Sequence, residues 1–138
     1  MKFLLDTNAV SEWVKPRPNA GVIRWMESVD EDRVVLSVIS LAELRYGVQR
    51  MAAGARRHRL EAWLREELPL RFEGRILPVN PNIAEAWGRA VANAESTGRP
   101  IGVMDAFLAA TADVHNLTLI TRNVSHFAAV KAVFNPWN

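Results

Sequence analysis

The 138-residue chain contains no cysteine, which excludes disulfide scaffolds, cysteine-based zinc or iron–sulfur sites and a thiol nucleophile. Its histidines, His58, His115 and His126, stand far apart, so a histidine-rich metal site is not expected. Charge of one sign is also scarce. Seventeen basic residues against 15 acidic ones leave +2, too little to argue nucleic-acid binding from net charge. No run of about 18 apolar residues occurs, and Asp6 interrupts the apolar start of the chain. Neither a membrane span nor a signal peptide is expected, and a cytoplasmic address follows. Gly-rich phosphate loops, nucleophile elbows and paired helix-face histidines are missing too.

What is present fits one globular domain covering residues 1–138, with 49% hydrophobic residues. Phe3-Leu4-Leu5 reads as a buried strand stopping at Asp6-Thr7-Asn8. Val34-Val35-Leu36 is a second strand, Ile76 to Val79 a weak one limited by Pro78, and Leu117 to Thr121 a clear one. Between them lie helical patterns over Ala9 to Val14, from the Asn19 cap onward, from the Ser37 or Ser40 cap through Met51, over Arg56 to Leu68, Ile83 to Ala94 and Ile101 to Val114. The tail from Phe127 has no clear pattern. Alternating strands and helices predict an α/β fold, a central and mostly parallel sheet of roughly four to five strands flanked by helices. Sites in such sheets lie beyond the carboxyl ends of the strands.

Carboxylates are expected at those positions: Asp6 at the end of the first strand, Glu43 in the first turn of the helix after the second, and Asp105 near the start of the Ala-rich helix. Each has a plain structural role available. Asp6-Thr7-Asn8 suits a helix cap, Ser40 to Glu43 suits a capping box, Asp105 suits a helix dipole, and Asn123 suits a turn. Their conjunction points further, because all would face one crevice. Two carboxylates ~4 Å apart repel by about 4 kcal/mol at an effective dielectric of about 20. Converging acids of this kind call for a hard cation such as Mg²⁺ or Mn²⁺, able to activate water against a phosphodiester.

Leu4-Leu5-Asp6-Thr7-Asn8, Ser37 to Gly47 with Glu43 inside it, Gly98-Arg99-Pro100-Ile101, Asp105-Ala106, Thr121-Arg122-Asn123 and Asn135-Pro136-Trp137 follow one another along the chain. Together they resemble a PIN-domain ribonuclease of the FitB-like branch of the VapC toxins. The resemblance implies a PIN-like fold, Mg²⁺- or Mn²⁺-dependent cleavage of RNA, a homodimer and inhibition by a small cognate antitoxin in a toxin–antitoxin system. It implies metal ligation by Asp6 and Asp105, with Glu43 completing the acidic cluster and positioning water. Thr7 and Asn8 match supporting positions, and Ser40 is grouped with them. Asn123 falls where relatives carry a fourth acid, or else that acid falls at the position of His126. Neither residue is anionic here.

That departure keeps a second class open: a catalytically weakened PIN-fold module that binds RNA or protein. Phosphoryl transfer on an aspartate, as in haloacid-dehalogenase-like or receiver domains, needs a second acid near Asp6 and a late lysine in a patterned segment. Thr7 and Asn8 follow Asp6, and Lys131 lies in the unpatterned tail. The run Arg56-Arg57-His58-Arg59 reads either as a phosphate-binding patch or as a solvated helix face with an Arg57–Glu61 pair. Of the five tryptophans, Trp13 is the candidate for a partner interface.

Overall fold

The computed structural model describes Met1–Asn138. β1 (Phe3–Leu5), β2 (Val34–Ser37), β3 (Ile76–Leu77), β4 (Thr118–Ile120) and β5 (Val133–Phe134) form one sheet in the order β3-β2-β1-β4-β5. Every pairing is parallel. Parallel neighbours need long crossovers, and helices supply most of them. α1 (Thr7–Glu12) and α2 (Ala20–Ser28) join β1 to β2. α3 (Val38–Gln49), α4 (Ala55–Ala62) and α5 (Leu68–Arg71) join β2 to β3. α6 (Pro81–Ser96) and α7 (Val103–His115) lead to β4.

Both faces of the sheet are covered, which explains why its strands read as unbroken apolar runs rather than alternating ones. Leu5, Val34, Leu36 and Ile120 pack on one face with Val10, Leu44, Leu68 and Phe72. Leu4, Val35 and Leu119 pack on the other with Leu108, Ala112 and Phe127. Strand order grows outward from β1 in both directions, so the switch point lies between β1 and β4. The crevice beyond their carboxyl ends is the natural ligand site of such a sheet.

Several boundaries differ from the sequence reading, each for a physical reason. α1 begins at Thr7 because Asp6 itself is its cap, accepting the Thr7 amide. α6 begins at Pro81, which lacks the amide hydrogen that a first helical position does not use, and Asn80 caps it through the Ile83 amide at 2.9 Å. The Arg56 to Leu68 helix is not continuous α-helix. Residues Trp63–Glu67 widen into a π-turn before α5, immediately upstream of Pro69, which cannot donate to the carbonyl four residues back. α7 starts at Val103, clear of Pro100. β5 emerges from the tail that had no pattern, being only Val133–Phe134. Beyond it, the Pro136 carbonyl lies so close to Gly21 that a Cβ there would overlap it. No helix is long and apolar enough to cross a membrane.

Candidate active site

Asp6 follows β1 and Thr121 follows β4, adjacent strands whose ends are in register at Leu5 and Ile120. The register brings the two side chains together. Thr121 Oγ1 donates to Asp6 Oδ2 at 2.7 Å, while Asp6 Oδ1 accepts the Thr7 amide at 2.7 Å. Thr121 Oγ1 also accepts the Asn123 amide at 3.0 Å, which sets the course of the chain after β4. Asp6 is buried and Thr121 fully so. Asp6 is therefore both the cap of α1 and an anchored acid at the switch point.

Thr7 connects this corner to α3. Its hydroxyl donates to Glu43 Oε1 at 2.6 Å and stands 3.0 Å from Ser40 Oγ, which is itself fully buried. The cap of α3 is Ser37, through the Ile39 amide at 3.0 Å. Ser40 lies inside the helix, so the Ser40–Glu43 capping box does not form; because the helix starts at Val38, Glu43 sits in its second turn rather than its first and faces Thr7. Asp105, in the first turn of α7, is half-buried with Oδ2 3.3 Å from His126 Nδ1. Asn8 Oδ1 makes only a long 3.5 Å contact with the Arg122 amide. Asn123 is exposed, heads the 3₁₀ turn Val124–Phe127 and places no side-chain hydrogen bond in the crevice. His126 is thus the member of that segment that touches an acid of the cluster.

The acids sense one another. Burial pushes the Asp6 carboxyl above its ordinary range; bonds from Thr121 and Thr7 pull it down, the Asp105 charge pushes it up, and His126 pulls it down less strongly. Burial likewise raises Glu43 against the Thr7 bond, with Asp6 and Asp105 adding to the rise. As they stand, the side chains do not close into a group of three or more metal-holding carboxylate or imidazole residues. The donor chemistry nevertheless suits a hard divalent cation. Mg²⁺ binds through one or two carboxylates and keeps several waters, so it does not require a closed protein cage.

The family profile for the PIN domain matches residues 3–133. The chain belongs to the PIN-domain family. Toxin FitB of Neisseria gonorrhoeae (strain ATCC 700825 / FA 1090) is 41% identical over 137 residues, 99% of each chain. VapC ribonuclease Y4jK of Sinorhizobium fredii (strain NBRC 101917 / NGR234) is 36% identical over 98% of this chain and 97% of its own. The crystal structure of FitAcB from Neisseria gonorrhoeae superposes with a TM-score of 0.91 at 39% identity, covering 99% of both chains. This PIN-domain chain therefore stands in the FitB-like branch of the VapC proteins.

Two residues of this PIN domain escaped the sequence reading as individuals. Thr121 is an Asp6 partner, and its signal was available in the parallel pairing of the first and fourth strands, which sets their ends side by side. Glu12 is a buried acid outside the crevice. Its Oε2 accepts the Asn19 amide at 2.8 Å and its Oε1 pairs with Lys15 at 2.9 Å, pinning the Pro16–Pro18 loop. Nothing in its local sequence marks it. Elsewhere, Arg57 is tied to Glu61 at 3.2 Å and to the Met51 carbonyl at 3.0 Å, so the basic run is partly a paired helix face. Trp13 is half-buried against Phe72, carries the Arg71 guanidinium 4.5 Å from its ring, and shares an apolar recess with Met26 and Trp63.

Proposed function

We propose that this PIN-domain chain is a Mg²⁺- or Mn²⁺-dependent endoribonuclease and the toxin of a type II toxin–antitoxin pair. The observation that carries this reading is the linked corner of Asp6, Thr7 and Glu43, with Asp105 coupled to it electrostatically, at the switch point of the sheet. Relatives named FitB toxin and VapC ribonuclease support it. RNA is the substrate, a small antitoxin the partner, a homodimer the working unit and the cytoplasm its location.

Asp6, Glu43 and Asp105 would hold the cation. When bound, it supplies Lewis acidity toward the scissile phosphodiester and its attacking water. The remaining work belongs to the chain. Thr121 and the Thr7 amide fix both oxygens of Asp6, so the carboxylate presents its free lone pairs in one orientation. The Thr7 hydroxyl engages Glu43 Oε1 and leaves Oε2 without a hydrogen bond, free to orient water and accept its proton as the new oxygen–phosphorus bond forms and the bond to the leaving sugar oxygen breaks. Asn8 and Ser40 support Thr7 and the chain after β4, and Asn123 and His126 complete the rim.

The His126–Asp105 contact favours one second reading, a PIN-fold binding module with weakened catalysis, because an imidazole faces the cluster. RNA cleavage measured with Mg²⁺, Mn²⁺ and EDTA separates the two. Cleavage that needs the cation and vanishes in Asp6→Asn supports the nuclease. A cation binding only the folded state at about 100 times its dissociation constant adds ~2.7 kcal/mol of stability. Absence of both cleavage and this stabilisation supports the binding module.

A further inference from the structure

A groove of about 1330 Å³ runs beside α7. At one end it is lined by Asp105 and His126, at the carboxyl edge of the sheet; at the other by Asn116 and Thr118, which precede and begin β4. The 13 residues of α7 give it a length of roughly 20 Å at ~1.5 Å per residue. Ala86, Ala90 and Ala94, four apart along α6, make one wall shallow, and the segment from Ser125 to Ala132 forms the other. Lys2, Arg89, Arg99 and Lys131 also line it, as does one acid besides Asp105, the exposed Asp113 of α7. Arg89 pairs with Glu85 at 2.5 Å. Arg99 and Lys131 are exposed and in no ion pair, and the Lys2 ammonium meets only the Phe3 ring, 5.3 Å from its centroid.

We propose that this groove seats the sugar–phosphate backbone of an RNA strand, with Arg99, Lys131 and Lys2 as its phosphate contacts. The inference rests on the ribonuclease reading, which sets a scissile phosphate beside Asp105. The groove leads away from that point, and beyond Asp105 its three free cations outnumber the single acid, Asp113, as a site for a polyanion requires. Phosphate contacts of this kind fix register and orientation without reading sequence. Arg99, at the Asp105 end, is the positioning residue nearest the chemistry; Lys131 and Lys2 lie further along the strand's path.

The test measures binding of a labelled, mixed-sequence single-stranded RNA oligonucleotide across a NaCl titration. All proteins carry Asp6→Asn so that the strand survives. Removing Arg99, Lys131 and Lys2 together, each to Ala, should reduce the slope of log affinity on log salt by about 2, at ~0.7 per phosphate contact on a single strand. A control with Arg56, Arg59 and Arg65 of the α4 side changed to Ala loses the same charge and should keep the parent slope. Thermal melting checks that each variant is folded, and Arg99→Ala alone, an exposed loop change, gives a slope reduced by ~0.7. Equal slope losses in the two triple variants, or none in the groove triple, overturn the proposal. A change in sedimentation mass with an unchanged slope also overturns it, and assigns the groove to a second copy of the chain. Cleavage of the same oligonucleotide by the unsubstituted protein with Mg²⁺ is scored separately; its absence defeats the ribonuclease reading, whereas the slopes judge the groove.

Discussion

The hydroxyl of Thr121 donates to Asp6 Oδ2 across 2.7 Å and thereby joins the carboxyl ends of β4 and β1. A hydrogen bond to a charged group contributes about 1.5–3 kcal/mol, and more is lost when the acceptor stays buried. Thr121→Val keeps the shape and removes the donor. Denaturant melts should show it less stable by roughly that amount at neutral pH and by less in acid, where a protonated Asp6 no longer demands the bond. Thr121→Ser should stay near the parent. A valine variant as stable as the parent at both pH values would mean that the hydroxyl does not secure the carboxylate.

Asp6 and Glu43 are both held above the ordinary carboxylate range, foremost by burial. In such a window the folded state binds more protons than the unfolded one. Stability from these groups is then full below the unfolded pKa and falls as pH rises through the folded pKa. Glu12 has the opposite sign: burial raises it, but Lys15 and the Asn19 amide outweigh burial and hold it low. Its contribution is present above the ordinary range and is lost as pH falls. Without divalent cation, Asp6→Asn and Glu43→Gln should therefore flatten the decline toward neutral pH and melt no earlier than the parent there; with Mg²⁺ present, both should lose RNA cleavage. Parallel melts and cleavage assays check both halves. A variant that cleaves like the parent would reduce its residue to a structural acid.

The sheet was legible because β1, β2 and β4 are buried on both faces and so read as unbroken apolar runs bounded by polar turns. β5 was not, since two residues, Val133 and Phe134, carry too little pattern to stand out. The nearness of Asp6 and Asp105 was legible by position, a strand end and a first helical turn at one edge of the sheet; Glu43, expected in the first turn of its helix, lies in the second and reaches that corner through Thr7. The bonds that organise the corner were not legible. Thr7–Glu43 spans α1 and α3, and Thr121–Asp6 spans 115 residues, so both depend on tertiary register rather than local spacing. Ser40 shows the same limit: as a local signal it competes with Ser37 for the cap, and only the packing of α1 on α3 decides that Ser37 caps and Ser40 is buried.

Trp13 has two attachments, the core through Phe72 and the open recess it shares with Met26 and Trp63. If the antitoxin occupies that recess, Trp13→Ala should weaken antitoxin binding by about 2 kcal/mol, the size of an interface hot spot, while kcat on RNA changes little. Truncating a ring packed on the core also lowers stability, so binding is measured well below the variant's melting temperature. Calorimetric titration that returns the parent affinity would assign Trp13 to the core alone.

His126 stands with Nδ1 3.3 Å from Asp105 Oδ2. The family resemblance implies a fourth acid at the position of Asn123 or His126; the imidazole of His126 is the group that faces Asp105. A neutral imidazole is a poor ligand for Mg²⁺. Its ring also sits against the Asp105 oxygen that a cation would use, so cleavage should need more metal than with an anion there. Protonation of Asp6 and Glu43, both already raised, should suppress cleavage in acid. His126→Asp tests the contact, because it replaces the imidazole with a carboxylate and leaves the other acids in place. Its half-maximal cleavage should require less Mg²⁺ than the parent's. The same variant should melt earlier without divalent cation, since a further carboxylate joins Asp6, Glu43 and Asp105 with nothing to neutralise it. His126→Gln, which adds no anion, should not lower the Mg²⁺ requirement as far. Should His126→Asp match the parent in metal requirement and melting alike, the imidazole has no part in the cluster and Asp105 acts without it.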